Sequence, residues 1–339
     1  MHSDVSLIDT SERWVIDPVV DDWTTVVTRW RNTPHLKPVV VSSDPSGPAQ
    51  VLAGRWAAAL RELNTPPKIP ICNEELPNCN DNCLHCGVAD IMRKATAMPT
   101  AAVVRHIHLL YPHSGGRIMF AVSELTIRPD FFSIIAACKL RGYHTIAVVT
   151  NGRRLAYPEA AQKAVQVGTT HFLVSIYGAT AQVHEGITRT PDSFAQTISG
   201  IRNLVNLPVT LMTNTVITQR NLHVLPDLID LLADLGVTNI CLSFVQIIGN
   251  AKRFAHRLVP RMVDVVPALL TAIERSVTRR VTLGIGGLPY CLLPGHDALF
   301  GVDDLTYVFN GEPADQITHR SPYKQAGACS GCAYAAICP

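Results

Sequence analysis

With 339 residues, 47% of them hydrophobic, the chain holds enough apolar material for one large core or two modest ones, and this excludes disorder of the whole. Its formal net charge is +2 with 17% charged residues, and the lysines and arginines are scattered. No nucleic-acid or anionic-membrane surface is therefore expected, and a small-molecule substrate is.

Residues 1–67 read as an N-terminal extension of unknown role. It has an amphipathic piece around Trp23 to Trp30, a break at Pro45-Ser46-Gly47-Pro48 and a helical piece from Gln50 to Leu63. From Lys68 the pattern changes to short β-rich runs alternating with amphipathic helices. Strands are expected over Lys68–Cys72, Ile118–Glu124, Thr145–Asn151, His171–Tyr177, Val209–Ile217 and Ile240–Gln246. Helices fit between them at Pro129–Arg141, Pro158–Val167, Ser193–Val205 and Leu225–Leu235. Right-handed crossovers would curl six such units into an open α/β barrel over 68–259, with chemistry at the C-terminal strand ends. Residues 260–339 begin with a helix near Val266–Ser276 and a strand near Val281–Ile285. They then become rich in Gly, Pro and Cys, a composition that usually needs a metal to hold it.

No apolar run of about eighteen residues could span a bilayer, and Met1-His2-Ser3-Asp4 does not open a charged leader, so no membrane association and a cytoplasmic location are expected. Ten cysteines are too few for a disulfide scaffold, and seven of them fall into two short-spaced groups that point to metal or redox chemistry.

The first group, Cys79, Cys83 and Cys86, forms C-x3-C-x2-C just after the first strand. Three thiolates on one loop can bind three irons of a [4Fe-4S] cube and leave the fourth iron open to a chelating ligand. A zinc site using His85 is the competing reading, although a histidine between two cysteines would bind with strained geometry.

With its aromatic residue before the third cysteine, here His85, this loop resembles the signature of the radical S-adenosylmethionine (SAM) enzymes. The resemblance implies a partial (β/α)6 barrel and a [4Fe-4S] cluster whose open iron is chelated by SAM. It also implies reductive cleavage of SAM to a 5′-deoxyadenosyl radical, with electrons from a donor such as flavodoxin or ferredoxin. Val122-Ser123-Glu124-Leu125-Thr126-Ile127-Arg128-Pro129-Asp130 is similar to the family's Gly-Gly-Glu-Pro segment without its glycines. The resemblance implies SAM contacts by Ser123 and Glu124, while a helix cap is the plainer role for Glu124. Thr150-Asn151-Gly152 resembles the segment closing the third strand, and Ser175 and Asn214 match residues placed near SAM.

The second group, Cys329, Cys332 and Cys338 with Cys291 upstream, could saturate another [4Fe-4S] cluster, with a structural zinc as the alternative. Its spacing resembles the SPASM and twitch extensions that carry auxiliary clusters. Cys72, Cys138 and Cys241 are most simply buried hydrophobes. Cys72 ends the first strand at the barrel mouth and is the catalytic candidate for returning a hydrogen atom to a substrate radical. Cys241 is expected roughly 15 Å below the mouth. The expected reaction is epimerisation or dehydrogenation of a carbon in a sugar-like natural product. Radical modification of a ribosomally made peptide and a non-catalytic iron–sulfur or zinc protein are the alternatives.

Overall fold

The structure, a computed structural model, describes residues 13–16, 37–40, 71–72, 79–92, 96–300 and 329. The described residues of Pro67–Leu288 form one compact unit. Those of Met1–Pro66, Pro289–Phe300 and Arg320–Pro339 fall in a second.

In the second unit β1 (Arg13–Ile16) and β2 (Lys37–Val40) pair in parallel, a pairing the sequence did not suggest. The pieces expected at Trp23–Trp30 and Gln50–Leu63 lie outside the described residues. The same unit contains two short 3-10 turns, Tyr290–Leu292 and Asp297–Leu299.

The larger unit is a seven-stranded, all-parallel sheet in sequential order: β3 (Ile71–Cys72), β4 (Arg117–Phe120), β5 (Thr145–Thr150), β6 (His171–Ser175), β7 (Thr210–Ile217), β8 (Asn239–Phe244) and β9 (Thr282–Gly286). Sequential parallel pairing requires a crossover between every pair of neighbours. Helices supply most of these crossovers, including Thr100–Leu110, Phe131–Arg141, Pro158–Val167, Ser193–Val205, Leu225–Asp234 and Met262–Arg279. This is the partial barrel expected from the alternation. Two of the helices start or stop for visible reasons. Pro158 occupies the first turn of its helix, where its missing N–H costs nothing, and Gly168 ends it at φ +129°. Gly142, at φ +106°, stops the preceding helix in the same way.

Strand alternation sorts side chains to two faces. Ile118, Phe120, Val148, Phe172 and Leu242 are buried against the helix layer, and Phe120 is among the largest fully buried side chains. Burying each contributes about 1.5–3 kcal/mol. Met119, Ala121 and Ala147 cluster on the inner face, with Val122 and Val149 packed against them.

Two expectations are corrected here. The boundary placed at 260 falls inside the barrel unit, because the helix Met262–Arg279 packs on Leu225–Asp234 and β9 pairs with β8 from Asn239↔Thr282 to Ser243↔Gly286. Read alone, that segment was assigned to the tail because the residues after it lose periodicity. The second strand stops at Phe120 rather than Glu124. The Ser123 N–H bonds back to the Ala121 carbonyl at 3.0 Å around Val122, which sits at φ +79°. A tight turn with a β-branched residue at positive φ is strained, and strain of that kind collects at functional sites.

Candidate active site

The cysteine loop lies beyond the C-terminal end of β3 and is fixed by three other parts of the barrel. Its Asn82 and Leu84 N–H groups donate to the Thr188 and Ile187 carbonyls at 3.0 and 2.9 Å. These carbonyls end the helix Ala181–Thr188 and have no intrahelical partner. Arg189, left-handed at φ +55°, follows directly and donates from Nε and Nη2 to the carbonyl and side-chain oxygens of Asn82.

From the end of β8, the Asn250 N–H donates to the Cys86 carbonyl (2.9 Å) and its Nδ2 to the Cys83 carbonyl (3.0 Å). Gly249 lies so close to the carbonyls of Cys86 and Gly87 that a Cβ there would collide with backbone. From the end of β5, Asn151 Nδ2 donates to Asn80 Oδ1 (2.6 Å), and Arg153 Nη1 reaches both the Asn80 carbonyl and Asp81 Oδ1. The sequence reading missed Arg153, Arg189, Gly249 and Asn250.

Glu124 ties this support together. It is 2% exposed. Its Oε1 accepts from the Thr126 N–H, Thr126 Oγ1 and Thr150 Oγ1, and its Oε2 accepts from the Asn151 N–H at 2.7 Å. Three of these bonds converge on Oε1 and one on Oε2, so the side chain expected to touch SAM is engaged within the protein and keeps an acceptor site on Oε2. It caps the turn Leu125–Ile127 and holds Asn151, which in turn holds the cysteine loop. Burial raises its proton affinity above the ordinary carboxylate range, against the opposing pull of these hydrogen bonds. Next to it, Ser123 Oγ is buried with no protein partner.

Cys79, Cys83 and Cys86 are partly exposed thiols on this clamped loop. The Asp81 N–H donates to Cys79 Sγ at 3.4 Å. Burial pushes the Cys79 thiol up to about 12 and Cys83 well above its ordinary value, with the neighbouring cysteines and Asp81 adding to both shifts. Among the described residues no three His, Cys, Asp or Glu side chains converge as ligands of a single ion. Three thiols on one loop are a donor set that suits a [4Fe-4S] cluster, binding three irons and leaving the fourth open. The Nδ1 of His85 is buried with no protein partner. Its ring meets Tyr177 edge-on at 4.6 Å, and burial lowers its proton affinity to about 4.

Strand register places the other expected residues. Ser175, Asn214, Cys241 and Gly284 share one row across β6 to β9. Ser243 Oγ donates to Asn214 Oδ1 (2.8 Å) and lies 3.5 Å from Cys241 Sγ, so these three side chains share the inner face. The Ser175 hydroxyl bonds the Tyr177 phenol. Asn214 lies inside its strand, which continues to Ile217, and Cys241 registers with it, short of the end of β8 at Phe244. Cys72 registers with Phe120, in the row between those of Met119 and Ala121. In the tail, Cys291 is exposed and Cys329 half-buried, and both belong to the second unit. Cys332 and Cys338 lie outside the described residues.

Behind the loop, His184 Nδ1 accepts the Tyr177 N–H at 3.1 Å, and burial, reinforced by the charge of Arg153, lowers its proton affinity from 6.5 to about 4. The unfolded chain takes up this proton near pH 6.5 and the folded chain resists until about pH 4. Stability present above pH 6.5 is therefore lost as pH falls through that window, by up to about 3 kcal/mol. Urea unfolding of the metal-free protein should show this slope, and His184→Gln should make it shallower, the remainder coming from His85, which shifts the same way. An equally steep slope in the variant would contradict the assignment.

Residues 76–232 match the Radical SAM superfamily model. The AdoMet-dependent heme synthase of Methanosarcina barkeri (strain Fusaro / DSM 804) is 30% identical over 159 residues, 47% of this chain and 45% of that protein. The PqqA peptide cyclase of Methylorubrum populi (strain ATCC BAA-705 / NCIMB 13946 / BJ001) is 27% identical over 199 residues, 55% of this chain and 48% of that protein. The chain thus spans about half the length of these curated relatives. In fold it is similar to Streptococcus suis SuiB bound to precursor peptide SuiA, with TM-score 0.53 at 11% identity over 77% of this chain and 60% of that one. No helix among the described residues is long and apolar enough to cross a membrane.

Proposed function

We propose that this chain is a radical SAM enzyme that reductively cleaves SAM and removes a hydrogen atom from a substrate carbon. The observation that carries the proposal is the clamped loop after β3 that presents Cys79, Cys83 and Cys86 in C-x3-C-x2-C spacing. These cysteines would hold three irons of the cluster. When bound, the cluster and SAM supply the 5′-deoxyadenosyl radical that abstracts the substrate hydrogen. The chain's part is to orient. The unpartnered Ser123 Oγ, together with Ser175 and Asn214 on the inner face, offers polar contacts to SAM, and Glu124 supports them from within. Cys291, Cys329, Cys332 and Cys338 would hold an auxiliary [4Fe-4S] cluster, which gives an electron path to or from the substrate. A flavodoxin or ferredoxin is the natural reductant.

For the substrate, we favour epimerisation or dehydrogenation of a sugar-like carbon. A hydrogen returned to the substrate radical needs a donor on the inner face. Cys241, in the row of Asn214, supports that role better than Cys72, which registers with Phe120. The alignment with PqqA peptide cyclase over 199 residues favours a peptide substrate as the second reading.

Reaction of the reconstituted protein with a panel of aminocyclitols and hexose derivatives in deuterated water tests both readings. Epimerisation predicts one solvent deuterium in the product, because thiols exchange with water, and its loss in Cys241→Ala. An oxidised product without deuterium means dehydrogenation. SAM consumption stimulated only by peptides would overturn the sugar reading.

A further inference from the structure

Asp81 sits between Cys79 and Cys83 in the loop and is buried, with its side chain 2% exposed. A carboxylate there lies beside the proposed cluster, which carries a net negative charge once three thiolates are counted, so it repels what the loop is proposed to bind. Arg153 Nη1 meets Asp81 Oδ1 at 2.8 Å and also donates to the Asn80 carbonyl, and its own side chain is 13% exposed. Its Nε is anchored on Gln196 Oε1 at 2.7 Å. The guanidinium is therefore held by the helix Ser193–Val205 while it grips the loop from the end of β5. Thr190 and Asn151 complete the surroundings of Asp81 with neutral hydrogen bonds, which leaves Arg153 as the cation paired with it.

We propose that Arg153 is a positioning residue for the cluster. By neutralising the buried Asp81 carboxylate and holding the Asn80 carbonyl, it keeps the Cys79–Cys83 segment in the conformation that retains the iron–sulfur group. The inference rests on the functional reading above and extends it to a pair of residues outside the cysteine motif. Breaking one side of a buried ion pair costs more than removing both, because the remaining charge is left uncompensated. The pair therefore makes a distinctive prediction in a double-mutant cycle.

The test compares the wild type, Arg153→Gln, Arg153→Lys, Asp81→Asn and the double variant Asp81→Asn/Arg153→Gln, each reconstituted anaerobically. Two readouts are taken: the rate of iron release to a chelator, and the change in the reduced cluster's EPR signal on adding SAM. Arg153→Gln should release iron at least about ten-fold faster and broaden the SAM-bound signal. Asp81→Asn, whose unpaired guanidinium still faces the anionic cluster, should lose less than Arg153→Gln, and the double variant should recover most of the loss. Arg153→Lys should fall between, since an ammonium keeps the charge and loses the two-point grip. Wild-type release in Arg153→Gln, or a double variant as impaired as the single one, would overturn the inference. Thermal unfolding of the same variants without metal reads the same pair independently. Coupling there in a wild type that never takes up a cluster would defeat the functional reading and leave the ion-pair clamp standing, whereas a loaded wild type with additive variants would defeat the clamp alone.

Discussion

Replacing Cys79, Cys83 and Cys86 together by alanine should remove about four of about eight irons from the reconstituted protein and reduce SAM cleavage to background, a larger loss than any other substitution here. The expectation follows from the loop's construction. Its backbone is secured by Asn82 and Leu84 to the end of the helix Ala181–Thr188, by Asn250 to the Cys83 and Cys86 carbonyls and by Arg153 to the Asn80 carbonyl, and Asn151 and Arg153 hold the Asn80 and Asp81 side chains. Of the loop's bonds reported above, the Asp81 N–H donating to Cys79 Sγ uses a thiol, and those just named do not, so the triple variant keeps its main clamps and loses its ligands. Iron and sulfide analysis of anaerobically prepared protein checks the first part, and the residual iron reports the auxiliary site. A triple variant that retains all its iron would place the cluster elsewhere, and about four irons in the wild type would remove the auxiliary cluster from the account.

The second large effect is on stability. Glu124→Ala leaves the Thr126 and Asn151 N–H groups and the Thr126 and Thr150 hydroxyls facing a cavity. Hydroxyls can turn to other acceptors, but the two buried N–H groups cannot, and each unsatisfied group costs about 1–3 kcal/mol. With the lost packing the total is about 4 kcal/mol, or roughly 10 °C in Tm for a domain of this size. Glu124→Gln keeps the shape and one acceptor and should lose about half as much. Thermal unfolding of the metal-free variants measures this directly. An unchanged Tm in Glu124→Ala would show that the carboxylate is not the tie between the end of β4 and Asn151.

Local pattern carried most of the barrel. The helices Pro158–Val167 and Ser193–Val205 have their predicted limits because a proline and a glycine bound the first and an apolar stripe defines the second. The strand at Thr282–Gly286 was visible, but its place beside β8 was not, because pairing partners are not encoded locally. For the site, the cysteine spacing identified the loop, whereas its clamps come from far along the chain. Arg189 bonds a residue 107 positions away and Asn250 one 167 positions away, and neither leaves a local signal. Cys241 could have been placed better. In Ile240-Cys241-Leu242-Ser243-Phe244 the period of two puts the thiol with Ser243 on the face opposite Leu242, whereas its depth depends on where this strand ends, which is Phe244 rather than Gln246. Glu124 was ambiguous for a physical reason: a carboxylate before a helical turn serves as a cap or as a ligand, and only its four donors distinguish the two.

The central claim is tested most directly by incubating anaerobically reconstituted wild-type protein with SAM and dithionite and quantifying 5′-deoxyadenosine, with EPR recorded on the reduced cluster before and after SAM. The account predicts formation of 5′-deoxyadenosine and methionine only when both reductant and cluster are present, and a change in the EPR signal when SAM is added. A cluster-loaded protein that produces no 5′-deoxyadenosine above the protein-free background, and whose signal SAM leaves unaltered, would contradict it.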